Sequence, residues 1–156
     1  MFDDETLLRM CYALSWKSPD PHTKIGALII DKDGQIISTG WNRQLINEMP
    51  IADKQTYTDH AETQALWAAN SVLRGDFSGT TLFASSAACG SCARAIIGLG
   101  VPNIVTHGFF QSLSNPWADE IEKAQNMLRE AGCLVTVVEP PLTGCVAFLS
   151  GSEYQV

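Results

Sequence analysis

The chain has 156 residues, of which 46% are apolar and 17% are charged, and its formal net charge is −7. A chain of this size buries roughly two-thirds of its unfolded surface, and this composition excludes disorder, collagen and coiled coil, so we predict one globular domain over residues 1–156. The ten basic residues are spread singly, whereas nucleic-acid-binding proteins carry a basic face, so a nucleic-acid partner is disfavoured.

The first half of the chain predicts two helices separated by a hairpin. Apolar residues at helical spacing, acids in the first turn and two following prolines predict a helix over residues 3–16. Two apolar runs, residues 24–31 and 35–40, are joined at Asp33-Gly34 and predict a β-hairpin. The alanine-rich residues 59–73 predict a helix that ends near Gly75.

In the second half, short apolar strands alternate with helices. Strands are predicted over residues 80–85, 101–106 and 134–138, and helices over residues 89–99 and 116–131. Asn115 is the predicted cap of the last helix, and Pro116 lies in its first turn. Because this alternation implies crossover connections and mostly parallel pairing, we predict a three-layer α-β-α domain of the α/β class with a mixed sheet of about five strands.

The two ends of the chain and its cysteines carry further expectations. The tail, residues 142–156, is either a sixth strand or an arm that packs on a neighbouring subunit. The acidic start is unlike a signal peptide, and no apolar run approaches the roughly 20 residues that span a bilayer, so no membrane partner is predicted. Five cysteines without an export signal favour reduced thiols and a cytoplasmic location over a disulfide framework.

One group of residues indicates metal chemistry: His60, with Glu62 two positions later, and the pair Cys89 and Cys92. One imidazole and two thiolates are the ligands of a tetrahedral zinc site, and three protein ligands leave the last position open for water. His60 is predicted to begin one helix and the cysteines to begin the next, at neighbouring strand ends. Glu62 can take a proton from zinc-bound water and deliver it to a substrate, which favours hydrolytic deamination.

Simpler interpretations of these residues stay open. A Cys-x-x-Cys pair is also typical of a thioredoxin-like redox centre that holds no metal. Asp59-x-x-Glu62 also fits a helix capping box, in which Glu62 would only tie back the first turn.

Several other conspicuous residues are predicted to be structural. Small buried side chains are expected at Cys11, Cys133 and Cys145. Loop or strand-end histidines, rather than metal ligands, are expected at His22 and His107. Core positions are expected for Trp16, Trp67 and Trp117 because of their helical spacing.

The sequence His60-Ala61-Glu62, followed by Cys89-Gly90-Ser91-Cys92, resembles the signature of the zinc-dependent cytidine deaminase superfamily. Within it, the chain is most similar to deoxycytidylate (dCMP) deaminases. This likeness extends over residues 7–138 and rests on segments 18–27, 38–42, 79–83, 92–97 and 127–132. It implies a cytidine deaminase-like fold.

The resemblance also implies a role for each site residue. Zn²⁺ would be held by His60, Cys89 and Cys92, and Glu62 would be the proton shuttle in the attack of zinc-bound hydroxide on C4 of cytosine. Asn42 would contact the deoxyribose hydroxyl, and the base edge would be read by the backbone of Ala61 and of residues 86–88, which include Ser86 and Ala87. The substrate phosphate is assigned to Lys24 and Arg43 because both lie near these loops. The resemblance further implies a homo-oligomer.

Three positions depart from the family pattern. Ala88 replaces the proline before the first cysteine, which shapes the loop under the base. Gln64 replaces an asparagine and is longer by one methylene. Arg43 replaces the last glycine of a Gly-Tyr-Asn-Gly loop that helps bind a triphosphate effector in regulated members, so control by dCTP and dTTP is not expected.

We therefore predict a cytoplasmic zinc hydrolase that converts dCMP, or a modified dCMP, to dUMP and ammonia, with a small nucleotide as its partner. A deaminase of cytosine, cytidine, guanine or adenosine in transfer RNA is the first alternative, although the acidic charge argues against the RNA substrate. A non-catalytic zinc-binding module is the alternative from another class.

Overall fold

The computed structural model describes residues 1–46, 51–114 and 116–156, and within them every predicted helix and strand is present. The elements follow the chain in the order α1 (Asp4–Ser15), β1 (Gly26–Ile30), β2 (Ile36–Trp41), β3 (Arg43–Gln44), a 3-10 turn (Ile51–Asp53), α2 (Lys54–Tyr57), β4 (Thr58–Asp59), α3 (Ala61–Leu73), β5 (Thr81–Ala84), α4 (Gly90–Leu99), β6 (Asn103–His107), α5 (Phe109–Ser112), α6 (Ala118–Glu130), β7 (Leu134–Val138), β8 (Val146–Leu149) and β9 (Ser152–Gln155). The short elements α2, α5, β3 and β4 are additions to the prediction. Asn115, the predicted cap of the last helix, lies outside the described residues.

The central sheet has five strands in the order β2-β1-β5-β6-β7. Strand β1 pairs antiparallel with β2 and with β5, whereas β6 pairs parallel with β5 and with β7. The predicted mixed sheet is thus confirmed. Its antiparallel side comes from the hairpin, and its parallel side comes from the crossover helices between β5 and β7.

The helices end where the local sequence predicts. Asp3 caps α1, because its carboxylate accepts a hydrogen bond from the backbone N–H of Thr6 at 2.8 Å. Gly100 ends α4 in the left-handed region, with φ of 73°. At the end of α3, Arg74 takes this conformation one residue before the predicted Gly75. None of the described helices has both the length and the apolar character that a membrane crossing needs.

Both faces of the sheet are covered, which gives three layers. Helices α3, α4 and α6 pack on one face, around buried residues such as Ile29, Leu66 and Ile96. Helix α1 packs on the other face, where Leu28 of β1 is buried against Leu8. Successive residues of a strand point to opposite faces, so all five residues of β1 are buried.

The tail folds back on its own chain. Strands β8 and β9 form a separate antiparallel hairpin, so the expectation of a sixth strand in the central sheet is wrong. A β-bridge between Lys24 and Phe148 and a hydrogen bond from the backbone N–H of Gly151 to the carbonyl of His22 link this hairpin to the rest. Leu142, Ala147 and Leu149 are buried in the same cluster as α1, so the described tail packs on its own domain.

The three tryptophans with a predicted core position are not in the core, which corrects the prediction. Trp16, Trp67 and Trp117 are 43%, 57% and 45% exposed. On α3 the buried face carries Ala65 and Ala69, and Trp67 is two residues, or about 200° of helix rotation, from each of them, so its indole points away from the sheet. The expectation for the cysteines is confirmed, since Cys11, Cys133 and Cys145 are free and buried.

Candidate metal centre and substrate cavity

Three potential metal ligands meet where two helices begin on the same face of the sheet. His60 is the residue before α3, Cys89 is the residue before α4, and Cys92 lies in the first turn of α4. The Nδ1 atom of His60 is 3.3 Å from the Sγ atom of Cys89 and 3.3 Å from that of Cys92. The structure therefore brings the three predicted ligands together, with all three ligand atoms within 4.8 Å of one another.

This donor set fits zinc. One imidazole nitrogen and two thiolates are ligands that Zn²⁺ prefers in tetrahedral sites. Among the described residues, no further cysteine, histidine or carboxylate joins this group. Structural zinc sites use four protein ligands and catalytic sites use three, so this donor set is of the catalytic kind.

The contacts among the three side chains shift their pKa values in different directions. A hydrogen bond with Cys89 raises the pKa of His60 to about 9, against the opposing effect of burial. A hydrogen bond from the thiol of Cys92 lowers the pKa of Cys89, and the same bond together with burial raises the pKa of Cys92. A metal ion that binds here therefore displaces protons from His60 and Cys92.

Glu62 is the buried carboxylate of the site. It is the second residue of α3, it is 4% exposed, and it lines the same cavity as His60. Burial raises the pKa of Glu62, and the nearby charge of His60 acts in the opposite direction. A carboxyl group with a raised pKa exchanges its proton nearer to neutral pH, which proton transfer to a substrate requires.

The alternative role of Glu62 in a helix capping box is wrong. The N-cap of α3 is His60 and not Asp59, and it makes no side-chain capping hydrogen bond, so Glu62 lies one position too early to close the box. The carboxylate of Asp59 instead accepts a hydrogen bond from the backbone N–H of His60 at 3.1 Å and another from the side-chain amide of Gln64. Gln64 thus ties the first turn of α3 to the preceding strand.

A cavity of about 410 Å³ adjoins the metal ligands, and this volume lies within the range of about 300–1,000 Å³ that is usual for small-molecule sites. The predicted site residues on its wall are Asn42, His60, Ala61, Glu62, Ser86, Ala87 and Cys89. Ala88, which stands where the resembled family has proline, is 2% exposed and belongs to the core. The loop before α4 therefore has one side on the cavity and one side in the core.

Asn42 is held in place by the loop that precedes β1. Its side-chain oxygen accepts from the backbone N–H of Ile25 at 2.8 Å, and its amide nitrogen donates to the carbonyl of Thr23 at 2.7 Å. The backbone carbonyl of Asn42 accepts a hydrogen bond from the hydroxyl of Ser18 at 2.7 Å. An asparagine side chain has two N–H donors and two lone pairs, so one donor and one acceptor remain for a ligand in the cavity.

The two predicted phosphate ligands do not line the cavity. The ammonium of Lys24 donates to the carbonyl of Ser18, and its nitrogen lies 5.6 Å from the ring centroid of Phe148. Arg43 is exposed on β3, where its backbone lies opposite that of Asp59 in the antiparallel pairing of β3 with β4. The lysine or arginine that does reach the wall within the described part of the chain is Lys54, at the start of α2.

Among the residues of the cavity wall that sequence reasoning missed are Lys54, Phe110, Trp117 and Glu120. Glu120 lies in the first turn of α6. An acid at this position is explained by the helix dipole alone, so the sequence does not indicate that Glu120 reaches the cavity. Lys54 lies in a stretch without periodicity, and its place on the wall depends on how the loop between β3 and α3 closes.

A three-ligand group that fits zinc, beside a buried carboxylate at helix starts of a three-layer α/β fold, is the arrangement typical of a mononuclear zinc hydrolase. Residues 1–108 match the family described as the cytidine and deoxycytidylate deaminase zinc-binding region. The chain belongs to this family and is a deaminase of the dCMP and cytidine deaminase type. The family binds zinc, and His60, Cys89 and Cys92 are the group that can hold it.

Similar proteins are named as deaminases. The chain is 29% identical over 121 residues to a probable deoxycytidylate deaminase of Drosophila melanogaster, a match that covers 67% of this chain and 55% of that protein. It is 30% identical over 128 residues to an uncharacterized deaminase of Aliivibrio fischeri, covering 78% and 83%. It is 25% identical over 142 residues to human deoxycytidylate deaminase, covering 82% and 75%.

Solved structures confirm the fold. The dCMP deaminase of the cyanophage S-TIM5, in complex with dCMP and dUMP, superposes with a TM-score of 0.68 at 20% identity, covering 86% of this chain and 95% of that one. The guanine deaminase of Nitrosomonas europaea superposes with a TM-score of 0.64 at 19% identity, covering 88% and 78%. The cytidine deaminase-like fold is therefore shared by enzymes named for different bases.

Proposed function

We propose that this chain hydrolyses dCMP, or a modified dCMP, to the corresponding deoxyuridylate and ammonia with zinc as its cofactor. The observation that carries the proposal is the buried carboxylate of Glu62 beside the ligand group of His60, Cys89 and Cys92 on the wall of one cavity. The names of the Drosophila and human relatives support dCMP as the substrate. The complex of the cyanophage enzyme with dCMP and dUMP supports a nucleotide of this size as the ligand.

Some residues of the site bind the substrate, and Glu62 transfers protons. A zinc ion held by His60, Cys89 and Cys92 supplies, when bound, a Lewis acid that lowers the pKa of a water ligand to about 7. Glu62 accepts a proton from the attacking water at a carboxylate oxygen and delivers it to N3 of the cytosine ring. It then moves the second proton of that water to the amine, which leaves C4 as ammonia.

The other predicted site residues orient the substrate. Asn42 has one donor and one acceptor left for the deoxyribose hydroxyl. The backbone of Ala61 and the loop of Ser86 and Ala87 line the cavity beside Glu62 and present amide and carbonyl groups to the base edge. Orientation of this kind lowers the barrier by fixing C4 at the reacting centre before the chemistry starts.

One assay with two readouts tests this proposal. Zinc per chain is measured, and ammonia release is then followed for cytosine, adenine and guanine as bases, nucleosides and nucleotides. We expect close to one zinc ion per chain and the highest turnover with dCMP. A protein purified with zinc that releases ammonia from none of these compounds is a non-catalytic zinc module, and a protein with a thiol pair but no metal is a redox protein.

Substitution of the proton shuttle is the sharper test. Glu62→Gln keeps the shape of the side chain and removes its proton exchange, so we expect retained zinc and turnover lower by roughly 10²- to 10⁴-fold. Glu122→Gln removes an exposed carboxylate of α6 and serves as the control with unchanged turnover. Full activity of Glu62→Gln would refute the assigned role.

One observation favours a second substrate class, a purine base. The carboxylate of Glu120 lies on the cavity wall, where it also accepts from the backbone N–H of Gly90 at 3.4 Å. A carboxylate accepts hydrogen bonds from exocyclic amines and ring N–H groups and repels a phosphate. Ammonia release from guanine that exceeds release from dCMP in the same assay would favour this class.

A further inference from the structure

We infer that Lys54 recognises the 5′-phosphate of the substrate and that Asp20 holds Lys54 in position for it. This inference rests on the proposed function, since it concerns the phosphate that separates dCMP from deoxycytidine. It replaces the assignment of the phosphate to Lys24 and Arg43, which do not line the cavity.

Lys54 has the right place and chemistry. It begins α2 and lines the same cavity as His60 and Glu62, and its side chain is 23% exposed. Its ammonium nitrogen lies 2.8 Å from Oδ1 and 2.7 Å from Oδ2 of Asp20. An ammonium has three N–H donors, so at least one remains for a phosphate oxygen when both carboxylate oxygens are bound.

Asp20 is a fixed anchor. Its side chain is 6% exposed, and its Oδ1 atom accepts from the backbone N–H of His22 at 2.8 Å and of Thr23 at 3.0 Å. Burial acts to raise the pKa of Asp20, but the hydrogen bonds from Lys54 and these amides outweigh it and the pKa is lowered, so the carboxylate stays charged. A lysine held by such an anchor loses less conformational freedom when a ligand binds than a lysine free in solvent.

No other lysine or arginine among the described residues competes for this role. Within the described ranges, Lys54 is the sole lysine or arginine on the cavity wall, and residues 47–50 and 115 contain neither residue type. The remaining charged groups outside the metal ligands are the carboxylates of Glu62 and Glu120. Lys54 is therefore the ammonium on the described wall whose free N–H can bind a phosphate oxygen, whereas the carboxylates of Glu62 and Glu120 repel a dianionic phosphate.

The test compares substrates with and without the phosphate. In the zinc-loaded protein, Lys54→Met keeps most of the apolar stem and removes the charge, so we expect kcat/KM for dCMP to fall roughly 10- to 100-fold, the range for one charged hydrogen bond. The kcat/KM for deoxycytidine should stay unchanged. Lys123→Met is the matched control, because Lys123 pairs with Asp119 at 2.6 Å on the exposed surface of α6.

A binding measurement makes the test independent of turnover. By calorimetry, the unsubstituted protein should bind dUMP more tightly than deoxyuridine, and Lys54→Met should remove this difference. Because Lys54→Met leaves Asp20 without its partner, the double variant Lys54→Met/Asp20→Asn is measured in parallel and should give the same result without an unpaired buried charge.

The outcomes separate two claims, the phosphate contact of Lys54 and the deamination of dCMP. A preference for dUMP that survives in both Lys54 variants, or that is lost in Lys24→Met or Arg43→Met instead, would overturn the assignment of Lys54 while deamination stands. Equal binding of dUMP and deoxyuridine by the unsubstituted protein would also overturn it. Loss of the dUMP preference in Lys54→Met, in a protein that deaminates no cytosine nucleotide, would support Lys54 and refute the proposed reaction.

Discussion

At the scale of single residues, two of the buried ionisable groups, Glu62 and His107, have different surroundings. Glu62 faces a cavity and the charge of His60, so its proton can be exchanged with a ligand. His107 is fully buried at the end of β6 and does not line the cavity. A buried group without access to a ligand acts on folding stability rather than on the reaction.

The surroundings of His107 favour its neutral form. Its Nδ1 atom lies 2.6 Å from the hydroxyl oxygen of Tyr12, whose proton is donated to the carbonyl of Ser85 at 3.1 Å. Its Nε2 atom is buried and finds no hydrogen-bond partner among the described residues. Protonation would add a second N–H with nowhere to donate, and burial accordingly lowers the pKa of His107, with Glu139 acting weakly in the opposite direction.

We therefore expect the protein to lose stability in mild acid through His107. The pKa of this histidine is lower in the folded chain than the value of about 6.5 in the unfolded chain, so the unfolded state binds the proton first as the pH falls. Its contribution is complete above about pH 6.5 and is lost as the pH falls from there towards the folded pKa. The measurement is urea unfolding at several pH values between neutrality and mild acid.

Two variants separate His107 from the carboxylates that also titrate in acid. His107→Phe keeps an aromatic ring beside Phe109 and should make the free energy of unfolding less dependent on pH. His22→Gln replaces a histidine that is exposed in a loop and is the matched control. A pH dependence that His107→Phe does not reduce would contradict this account.

Residue-level prediction from sequence succeeded where a role depends on neighbours in the chain. The ligand group of His60, Cys89 and Cys92 follows from short spacings and from two helix starts, so it could be recognised without the fold. The position of Lys54 could not be predicted from sequence, because its contact with Asp20 joins residues 34 positions apart and depends on a loop with no periodic pattern. The position of Lys24 off the cavity wall could not be predicted either, since nearness in sequence does not tell which way a side chain points.

At the scale of elements, the position of α3 depends on its close approach to β2. Gly40 of β2 is the contact point, because a Cβ atom there would lie 2.2 Å from the carbonyl oxygen of Ala61 and 2.6 Å from the backbone nitrogen of Ala65. Both atoms belong to the backbone of α3 and cannot rotate away. This contact places the start of α3, and with it Glu62, at the end of the sheet.

Gly40→Ala should therefore displace α3 and lower the free energy of unfolding by about 1–3 kcal/mol, the usual cost of overpacking a core. Urea denaturation measures the change. Gly98→Ala is the control, because nothing lies within 4 Å of a Cβ atom at Gly98 in α4, and alanine should stabilise this helix by about 0.5–1 kcal/mol. Equal effects of the two variants would contradict the close contact.

The elements themselves were largely predictable, because turns and caps are local. Asp33-Gly34 marks the hairpin and Gly100 marks the end of α4, and both positions have positive φ at the glycine. The exposure of Trp67 was not predictable in this way. Helical spacing places apolar residues on one side of a helix, but only the approach of α3 to β2 decides that alanine and not tryptophan fits between them.

At the scale of the whole molecule, the sheet is stable only if both of its faces are covered. The alternation of strands and helices in the sequence predicts that helices cover one face of the sheet, and these helices are α3, α4 and α6. The second side is covered by α1 together with the tail, whose short strands β8 and β9 carry too few residues to show their role in the sequence. Cys145 and Val156, near the two ends of this hairpin, are both buried with α1.

The tail should therefore contribute to global stability in proportion to what it buries. Leu149→Ala removes a side chain from β8 that is 3% exposed, and we expect the free energy of unfolding to fall by about 2–5 kcal/mol because a cavity is left in the cluster around α1. Leu134→Ala makes the same chemical change in β7 at a residue that is 65% exposed, and its effect should stay within about 0.5 kcal/mol. Both are read from urea unfolding at neutral pH. A small effect of Leu149→Ala would mean that the tail does not pack on its own domain and that another element covers α1.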